Sequence, residues 1–425
     1  AVGHEALYVN TTGNYNVAMG SGALDSNTTA NNNTGVGYLA LEANTTGADN
    51  VAVGAFALDA NTTGNDCTAV GKQALTENTT GLNNTGLGFQ SLENNTTASN
   101  NTAVGYKSLE ANTTGTKNVA VGANALDAAT TANSNVAIGH DCLTANTTGE
   151  QGVGIGQQTL ASNTTGNFNT AVGRSALNAN TTASNNTAVG YFALDTNTTG
   201  ANNTAVGKDA AKANTTGNRN IAIGEFTFAV NTTGSDNTSV GTGALQANTT
   251  GNDNVAIGRV AMSANTTGTK NTAVGKDAAT NTTTGSFNIT LGYNAQPPSA
   301  TSEGNCTLGD SNISNLRCND TSISSLSDER DKTDIVDLPV GLDFINTLKP
   351  RKFKWATRDG NVKDGRYNAG FIAQELQTAE SSIDYLYLVM SENTERLETK
   401  EGHLLPVMVK AIQELSAKVT ALEAG

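Results

Sequence analysis

Residues 324–335 read SSLSDERDKTDI, and within them Ser327 and Lys332 stand five positions apart. A serine hydroxyl is a poor nucleophile until a neighbour removes its proton. A lysine can do so only in its neutral form, which burial or a nearby cation favours. The two residue types are thus a nucleophile and its base, provided the chain brings them together. Neither a helix nor a strand places positions i and i+5 on one face, so they meet only through a turn or a neighbouring chain. Ordinary structure also accounts for the stretch: Ser327 followed by Asp328 and Glu329 has the form of a helix N-cap with acids in the first turn.

Ahead of this segment the chain repeats itself. Gly20, Gly37, Gly54, Gly71, Gly88 and Gly105 are 17 residues apart, and the spacing continues through Gly292 to Gly309 without insertion. The unit is N-[TV]-A-V-G-x-x-A-L-x-x-N-T-T-G-x-x, and so short and strict a period predicts a solenoid or fibre. It is too short for a helical hairpin; its β-branched residues, glycines and Asn-Thr-Thr-Gly turns predict short strands and tight turns.

The residue before each recurrent glycine is large and aliphatic (Met19, Val36, Val53, Val70, Leu87, Val104 and on to Leu308) and is expected in the core. So is the series Leu7, Leu24, Leu41, Leu58, relaxed only to Ala211, Phe228, Met262 and Ala279. Position 18 and its equivalents stay Ala, Gly or Ser until Thr290, which implies close approach of another backbone or chain. Coils stacked ~4.8 Å apart give a rod of about 80–90 Å. The Asn-Thr-Thr triplets then form polar ladders; each is formally an N-glycosylation sequon, with a stacked turn as the preferred reading. A threonine face that binds ice or a polysaccharide is the alternative.

Such a shaft has a register problem. A slip of one whole unit between chains restores almost every contact, so the shaft cannot choose its own alignment, and non-local β pairing is slow. It needs an external nucleus. Residues 336–356 read as strands around a turn, with Val340, Leu342, Phe344, Ile345, Leu348, Phe353 and Trp355 as a core, and 367–377 as a short helix. Leu405, Met408, Ile412, Leu415, Val419 and Leu422 then alternate at spacings of three and four, the a/d pattern of a coiled coil in a helix spanning about 404–424. A single helix packed on its own domain satisfies the same pattern.

Composition excludes several functions. With 24 Lys and Arg against 38 Asp and Glu, a net charge of −14 argues against nucleic-acid binding. Lys349, Arg351, Lys352 and Lys354, alternating with Pro350, Phe353 and Trp355, read as a solvated strand face. No apolar run approaches the ~20 residues of a membrane span, so neither membrane insertion nor a secretory signal within these residues is expected. The chain opens in mid-repeat at Ala1 without an initiator Met, which leads us to expect a missing amino-terminal anchoring region. Cys67 and Cys142 stand alone in the repeats; Cys306 and Cys318 are close enough to pair, and their disulfide state is left open. With no CxxC spacing and three His, neither metal nor cofactor is expected. Acids in the shaft look scattered and non-recurring, unlike the fixed carboxylate pair of a glycosidase.

Four stretches in order over about a hundred residues, LSDERDKTDI, GLDFINTLKPRKFKW, AGFIAQELQ and VKAIQELSAKVTALEA, resemble the intramolecular chaperone auto-processing domain, peptidase family S74, at the ends of phage tail fibres, tailspikes and endosialidases. The resemblance implies a domain that trimerises, templates the preceding β-structured fibre and then cuts itself off before the motif serine. Carried over, Ser327 is the nucleophile, Lys332 the general base and Leu326–Ser327 the scissile bond. Asp328, Glu329 and Arg330 belong to the motif without assigned roles, Asp328 being placed to orient the lysine. Residues 378–403 match less closely. The repeats themselves resemble the heads of trimeric autotransporter-type adhesins and the shafts of phage tail fibres.

The expected architecture is mostly β. A trimeric 17-residue-repeat β-solenoid or β-roll shaft occupies 1–295, a partial repeat with fibre tip and cleavage linker 296–326, and an α+β chaperone domain ending in a coiled-coil helix 327–425. The expected protein is a homotrimeric tail fibre, assembled in the host cytoplasm and joined to the virion tail through the missing amino-terminal region. It would meet a host receptor, a polysaccharide or outer-membrane component, near its tip. A bacterial surface adhesin and a polysaccharide-degrading tailspike are the alternatives.

Overall fold

The computed structural model describes residues 1–310, 312–313, 327–355, 365–390 and 397–425. The chain divides into two compact units, Ala1–Ile313 and Ser314–Gly425.

The first unit is a parallel β-solenoid with one three-residue strand per coil. Eighteen strands, from β1 (Val17–Met19) to β18 (Cys306–Leu308), stack in chain order, each residue beside its equivalent 17 positions on, as in Thr34↔Val51 and Gly35↔Ala52. Pairing does not stop at the strands. Val51 N donates to Cys67 O at 2.9 Å, Gly54 N to Val36 O at 2.8 Å, Leu58 N to Ala74 O at 3.1 Å and Thr62 N to Thr79 O at 2.9 Å. Each coil is therefore bonded to both neighbours around much of its circumference.

The core differs from the expected one. Met19, Val36, Val53 and their equivalents point outward, half-buried or exposed, and the small middle residue of each strand faces in: Ala18, Ala52 and Ala69 are fully or almost fully buried. Alternation along a strand lets a three-residue segment turn only its middle residue inward. That position is small because the interior is tight: a Cβ on Gly35 would lie 3.1 Å from Ala40 O and 3.3 Å from Leu24 Cγ. The close approach is thus made by the chain's own coil. The leucine series is core as expected, Leu24, Leu41 and Leu58 being inaccessible.

These leucines sit in the left-handed region, with φ of 55°, 57° and 52° at Leu24, Leu41 and Leu58. A β-branched side chain suffers most there, which explains why the series relaxes to Ala, Phe or Met and never to the Val and Ile that fill the strands. At the glycine ending each strand the constraint is stricter. Gly88 has φ 136°, and a Cβ would meet Gly105 O at 2.3 Å.

Beside these apolar residues, and the buried alanines that precede the leucines (Ala23, Ala40, Ala57), the interior holds polar rows. Asn27, Asn44 and Asn61 of the Asn-Thr-Thr triplets are fully buried. Each amide donates to the carbonyl oxygen of the Asn one coil before, Asn44 Nδ2 to Asn27 Oδ1 at 3.0 Å and Asn61 Nδ2 to Asn44 Oδ1 at 2.9 Å. A second ladder runs through Asn33 and Asn50, Asn33 Oδ1 accepting Asn50 N–H at 3.0 Å. Threonine hydroxyls add a third, Thr45 Oγ1 donating to Thr62 O at 3.0 Å. The expected polar ladders are present, and the sequon asparagines are their buried rungs.

The amide ladder breaks where Ala129 replaces Asn, leaving Asn112 Oδ1 buried without a partner. A buried unsatisfied acceptor costs about 1–3 kcal/mol. Ala129→Asn is expected to recover a part of this, raising the denaturant midpoint of the shaft, while Asn112→Ala in the Ala129→Asn background cancels the gain. An unchanged midpoint for Ala129→Asn sinks this account of the ladder.

The second unit contains α1 (Leu342–Ile345), β19 (Arg351–Phe353) antiparallel to β20 (Asn368–Gly370), α2 (Ala373–Ala379), β21 (Val389–Met390) antiparallel to β22 (Glu398–Thr399), and α3 (Leu404–Glu423). Its core joins Phe344, Leu376, Leu386, Leu388, Leu404 and Val407, with Val340, Ile345 and Leu348 packed against them. Residues expected as strands around a turn begin as a short helix, because Leu342 N–H finds its acceptor in Glu414 Oε2 of α3, at 2.8 Å. Trp355, expected in this core, is half exposed, edge-on to Phe353 at 5.3 Å. Of 367–377, expected to hold a short helix, only the end is helical: α2 starts at Ala373 and runs on to Ala379, while Asn368–Gly370 form β20.

Candidate functional site

Ser327 and Lys332 meet. A single 3-10 turn, Glu329–Asp331, folds the chain back so that Lys332 Nζ lies 2.6 Å from Ser327 Oγ and 3.4 Å from Ser327 O. The N-cap is Asp328 rather than Ser327, its carboxylate accepting Arg330 N–H at 2.9 Å. The same carboxylate holds the Arg330 guanidinium, Nη2 to Oδ2 at 2.6 Å and Nε to Oδ1 at 3.0 Å, and the guanidinium keeps it below the usual carboxylate range. Asp328 therefore does not orient Lys332, as expected, but buttresses the turn that delivers it. Capping by Asp328 frees the Ser327 hydroxyl for the lysine. Both members of the pair are exposed, and Leu326 lies outside the described residues.

Helix α3 has two apolar faces. Leu404, Val407 and Ala411 are buried against the unit's own core. Leu405, Met408, Ile412, Leu415, Val419 and Leu422 fall on a different stripe and are 44–82% exposed. The helix packs on its own domain through one face and leaves the a/d row open. The sequence signal for the packing face was the same three-and-four spacing, one residue earlier.

The basic run is committed locally, as a solvated strand face should be. Arg351 pairs with Glu375, Nε to Oε2 at 2.9 Å, while Lys352 and Lys354 Nζ stand 4.3 Å and 4.7 Å from the Tyr367 ring centroid. Burial pushes the Cys67 thiol up to about 11 and Cys142 up to about 12, so these are inert core thiols; Cys67 Sγ takes the ladder position of an amide, 3.3 Å from Gly81 O. Cys318 lies outside the described residues. Among the described residues no His, Cys, Asp or Glu group fit for a metal occurs, and no helix is long and apolar enough to cross a membrane.

The shaft acids are less scattered than the sequence suggested. Asp25, Glu42, Asp59, Glu93, Glu110 and Asp127 all follow the core leucine, so in-register stacking aligns them in one row. Burial, with Glu42 and Glu77 nearby, pushes the Asp59 carboxyl up to about 6. Its folded value lies above its unfolded one, so its favourable contribution is complete below about pH 4 and lost as pH rises through 6. Asp59→Asn is accordingly expected to raise the unfolding midpoint at pH 8 and to leave it unchanged at pH 3.5; equal shifts at both pH values would refute the charge argument.

A one-strand-per-coil parallel solenoid, followed by a small α+β unit that opens on a Ser–Lys contact and closes on an open helix face, is consistent with a tail-fibre or tailspike-type protein. Residues 327–384 match the Peptidase_S74 family, described as chaperone of endosialidase, a domain family of phage tail proteins. No curated protein and no solved structure matches the chain.

Proposed function

We propose that this chain is a phage tail-fibre shaft carrying its own assembly factor, which registers three copies and then severs itself from them at Leu326–Ser327. The observation that carries the reading is the 2.6 Å contact between Lys332 Nζ and Ser327 Oγ. It supports the following chemistry. Neutral Lys332 accepts the hydroxyl proton as Oγ attacks the Leu326 carbonyl carbon. The proton then passes to the Ser327 nitrogen as the C–N bond breaks, leaving Leu326 esterified to Oγ. Water hydrolyses that ester, giving a shaft that ends in the Leu326 carboxylate and a module that begins with the free Ser327 amine.

Conditional timing follows from exposure. A lysine in water is protonated, and a neutral base requires desolvation. The open row on α3 supports homotrimerisation as the event that covers the pair. Cutting is then coupled to assembly, and the freed shaft persists kinetically, because unfolding must open many coils together. The released fibre joins the virion tail at its amino-terminal side and meets a surface receptor, a polysaccharide or outer-membrane component, near residues 296–326.

Denaturing mass of freshly expressed protein tests this. The wild type is expected to give fragments ending at Leu326 and beginning at Ser327, and Ser327→Ala to stay at 43.4 kDa. An intact wild-type chain would reduce the module to a permanent cap and end the enzymatic reading.

A further inference from the structure

Aromatic and basic residues of the solenoid gather at one place in its unit. Of the thirteen aromatic residues in 1–313, eight occupy the two positions that follow the recurrent glycine, and so do six of the ten Lys and Arg. Coil-to-coil bonds align these positions along one edge of the shaft: Phe56 N donates to Tyr38 O and Lys107 N to Phe89 O, each at 2.9 Å. Between Ser21 and Asn124 the edge carries Tyr38, Phe56, Lys72, Phe89, Tyr106 and Lys107, and no acid.

At its centre the Phe89 and Tyr106 rings lie nearly parallel, 12° apart with centroids at 5.6 Å, and the residues are 37% and 51% exposed. Lys72 Nζ stands 6.0 Å from the Phe89 centroid, and Lys107 Nζ 5.9 Å from that of Tyr106. Hydrogen-bonding groups border the rings: Gln73 Nε2 donates to Glu93 Oε1 at 3.1 Å, and Lys107 Nζ to Glu110 Oε1 at 3.0 Å. Both glutamates belong to the row of acids that follows the core leucine, so carboxylates run beside the aromatic edge.

We infer that this edge holds an uncharged glycan, its chain running along the shaft. Ligand sites combine aromatic surface with a few polar groups that fix orientation. A sugar ring has an apolar C–H face and a hydroxyl rim, which match the rings and the amide and carboxylates beside them. The coil rise of ~4.8 Å is about the length of one sugar unit in an extended chain, so successive coils can meet successive units. Charge selects against other polymers. With 20 Asp and Glu against 10 Lys and Arg in 1–313, and Lys107 already paired, nucleic acid or a polyuronate is repelled. A seam between copies is disfavoured as well, because the same edge carries Arg174, Lys208, Glu225 and Lys276 in other coils, and packing would desolvate them. The contact lies on the flank, apart from the one proposed near residues 296–326, and depends on neither cleavage nor α3.

Native affinity electrophoresis of the full-length chain tests it, with dextran, mannan or galactan set in the gel. At least one is expected to retard the wild type, and added salt should leave the retardation unchanged, since no charge is neutralised. Phe89→Ala with Tyr106→Ala should weaken binding at least ~10-fold, as truncation of buried interface aromatics does. Phe89→Leu with Tyr106→Leu, which keeps apolar bulk, repeats the loss should the alanine pair fold poorly. Tyr15→Ala with Phe168→Ala removes exposed aromatics two positions after a Thr-Thr-Gly turn, off this edge, and should bind as wild type. No retardation by any of the three glycans, undiminished retardation of the Phe89 and Tyr106 variants, or an equal loss in the Tyr15 and Phe168 control overturns the proposal. Retardation by polygalacturonate or poly(dT) alone overturns the ligand class. Retardation lost only on replacing residues 296–326 moves the site to the tip and overturns it too.

Discussion

With Ile412 and Leu415 both changed to Asp, the chain is expected to emerge monomeric, full length and uncut. The two residues lie on the open row of α3, whereas Leu404, Val407 and Ala411 fix the helix to its own unit. The substitution therefore leaves the fold of the module in place and puts carboxylates into the seam along which the proposed trimer would join its helices. Burying an unpaired carboxylate costs several kcal/mol, and three copies carry six of them, so association should weaken by far more than a thousandfold. Native mass and a denaturing gel read the result. Val407→Asp is the contrast: it strikes the inner face and should unfold the module, seen as lost amide protection in α3. A double variant with wild-type native mass would remove the helix from the assembly mechanism.

Lys332→Arg should slow cleavage by about 10²- to 10⁴-fold, the usual contribution of a general base. Arginine keeps the charge and the reach needed to hold Ser327 Oγ, and it cannot give up its proton under ordinary conditions. The variant separates two roles for Lys332. If the lysine only closes the turn around Glu329–Asp331, arginine substitutes for it and fragments appear at the wild-type rate. If it is the base, full-length chains accumulate with unchanged native mass. The second outcome is expected, because the turn already has its own support in the Asp328–Arg330 pair.

Much of this was legible in the residues. The period, the short strands, the leucine core, the polar ladders and the open row on α3 all follow from spacing and residue type. The Ser–Lys pairing was legible only as a conditional, because five positions bring two side chains together solely through a turn. What the sequence concealed was the sense of each strand. Val-Ala-Val has one alternation, and hydrophobicity assigns the larger residues to the core. Size tolerance was the better guide: the outer positions accept Met, Val, Leu and Ile in turn, as packed sites do not, while the middle accepts only Ala, Gly, Ser and, at the end, Thr. The capping of α1 by Glu414, seventy-two residues away in sequence, had no local signal at all.

The glycines make a related point about where constraint resides. Gly47 and Gly88 would both bring a Cβ within 2.5 Å of a backbone oxygen in the next coil. Yet the chain itself places Ala at the turn equivalents 30, 98, 132 and 183, and never at a strand-ending glycine. Only the latter combines crowding with φ near 136°. Crowding alone relaxes by a small shift of the coil; crowding together with a forbidden dihedral does not.

Every bond of the three ladders joins a residue to its counterpart in the adjoining coil, so no coil is tied to a particular place in the stack. Recombination between units can therefore add or remove a coil without redesigning either end. The shaft is a ruler graduated in steps of ~4.8 Å, and its reach is a quantity that selection can adjust by counting.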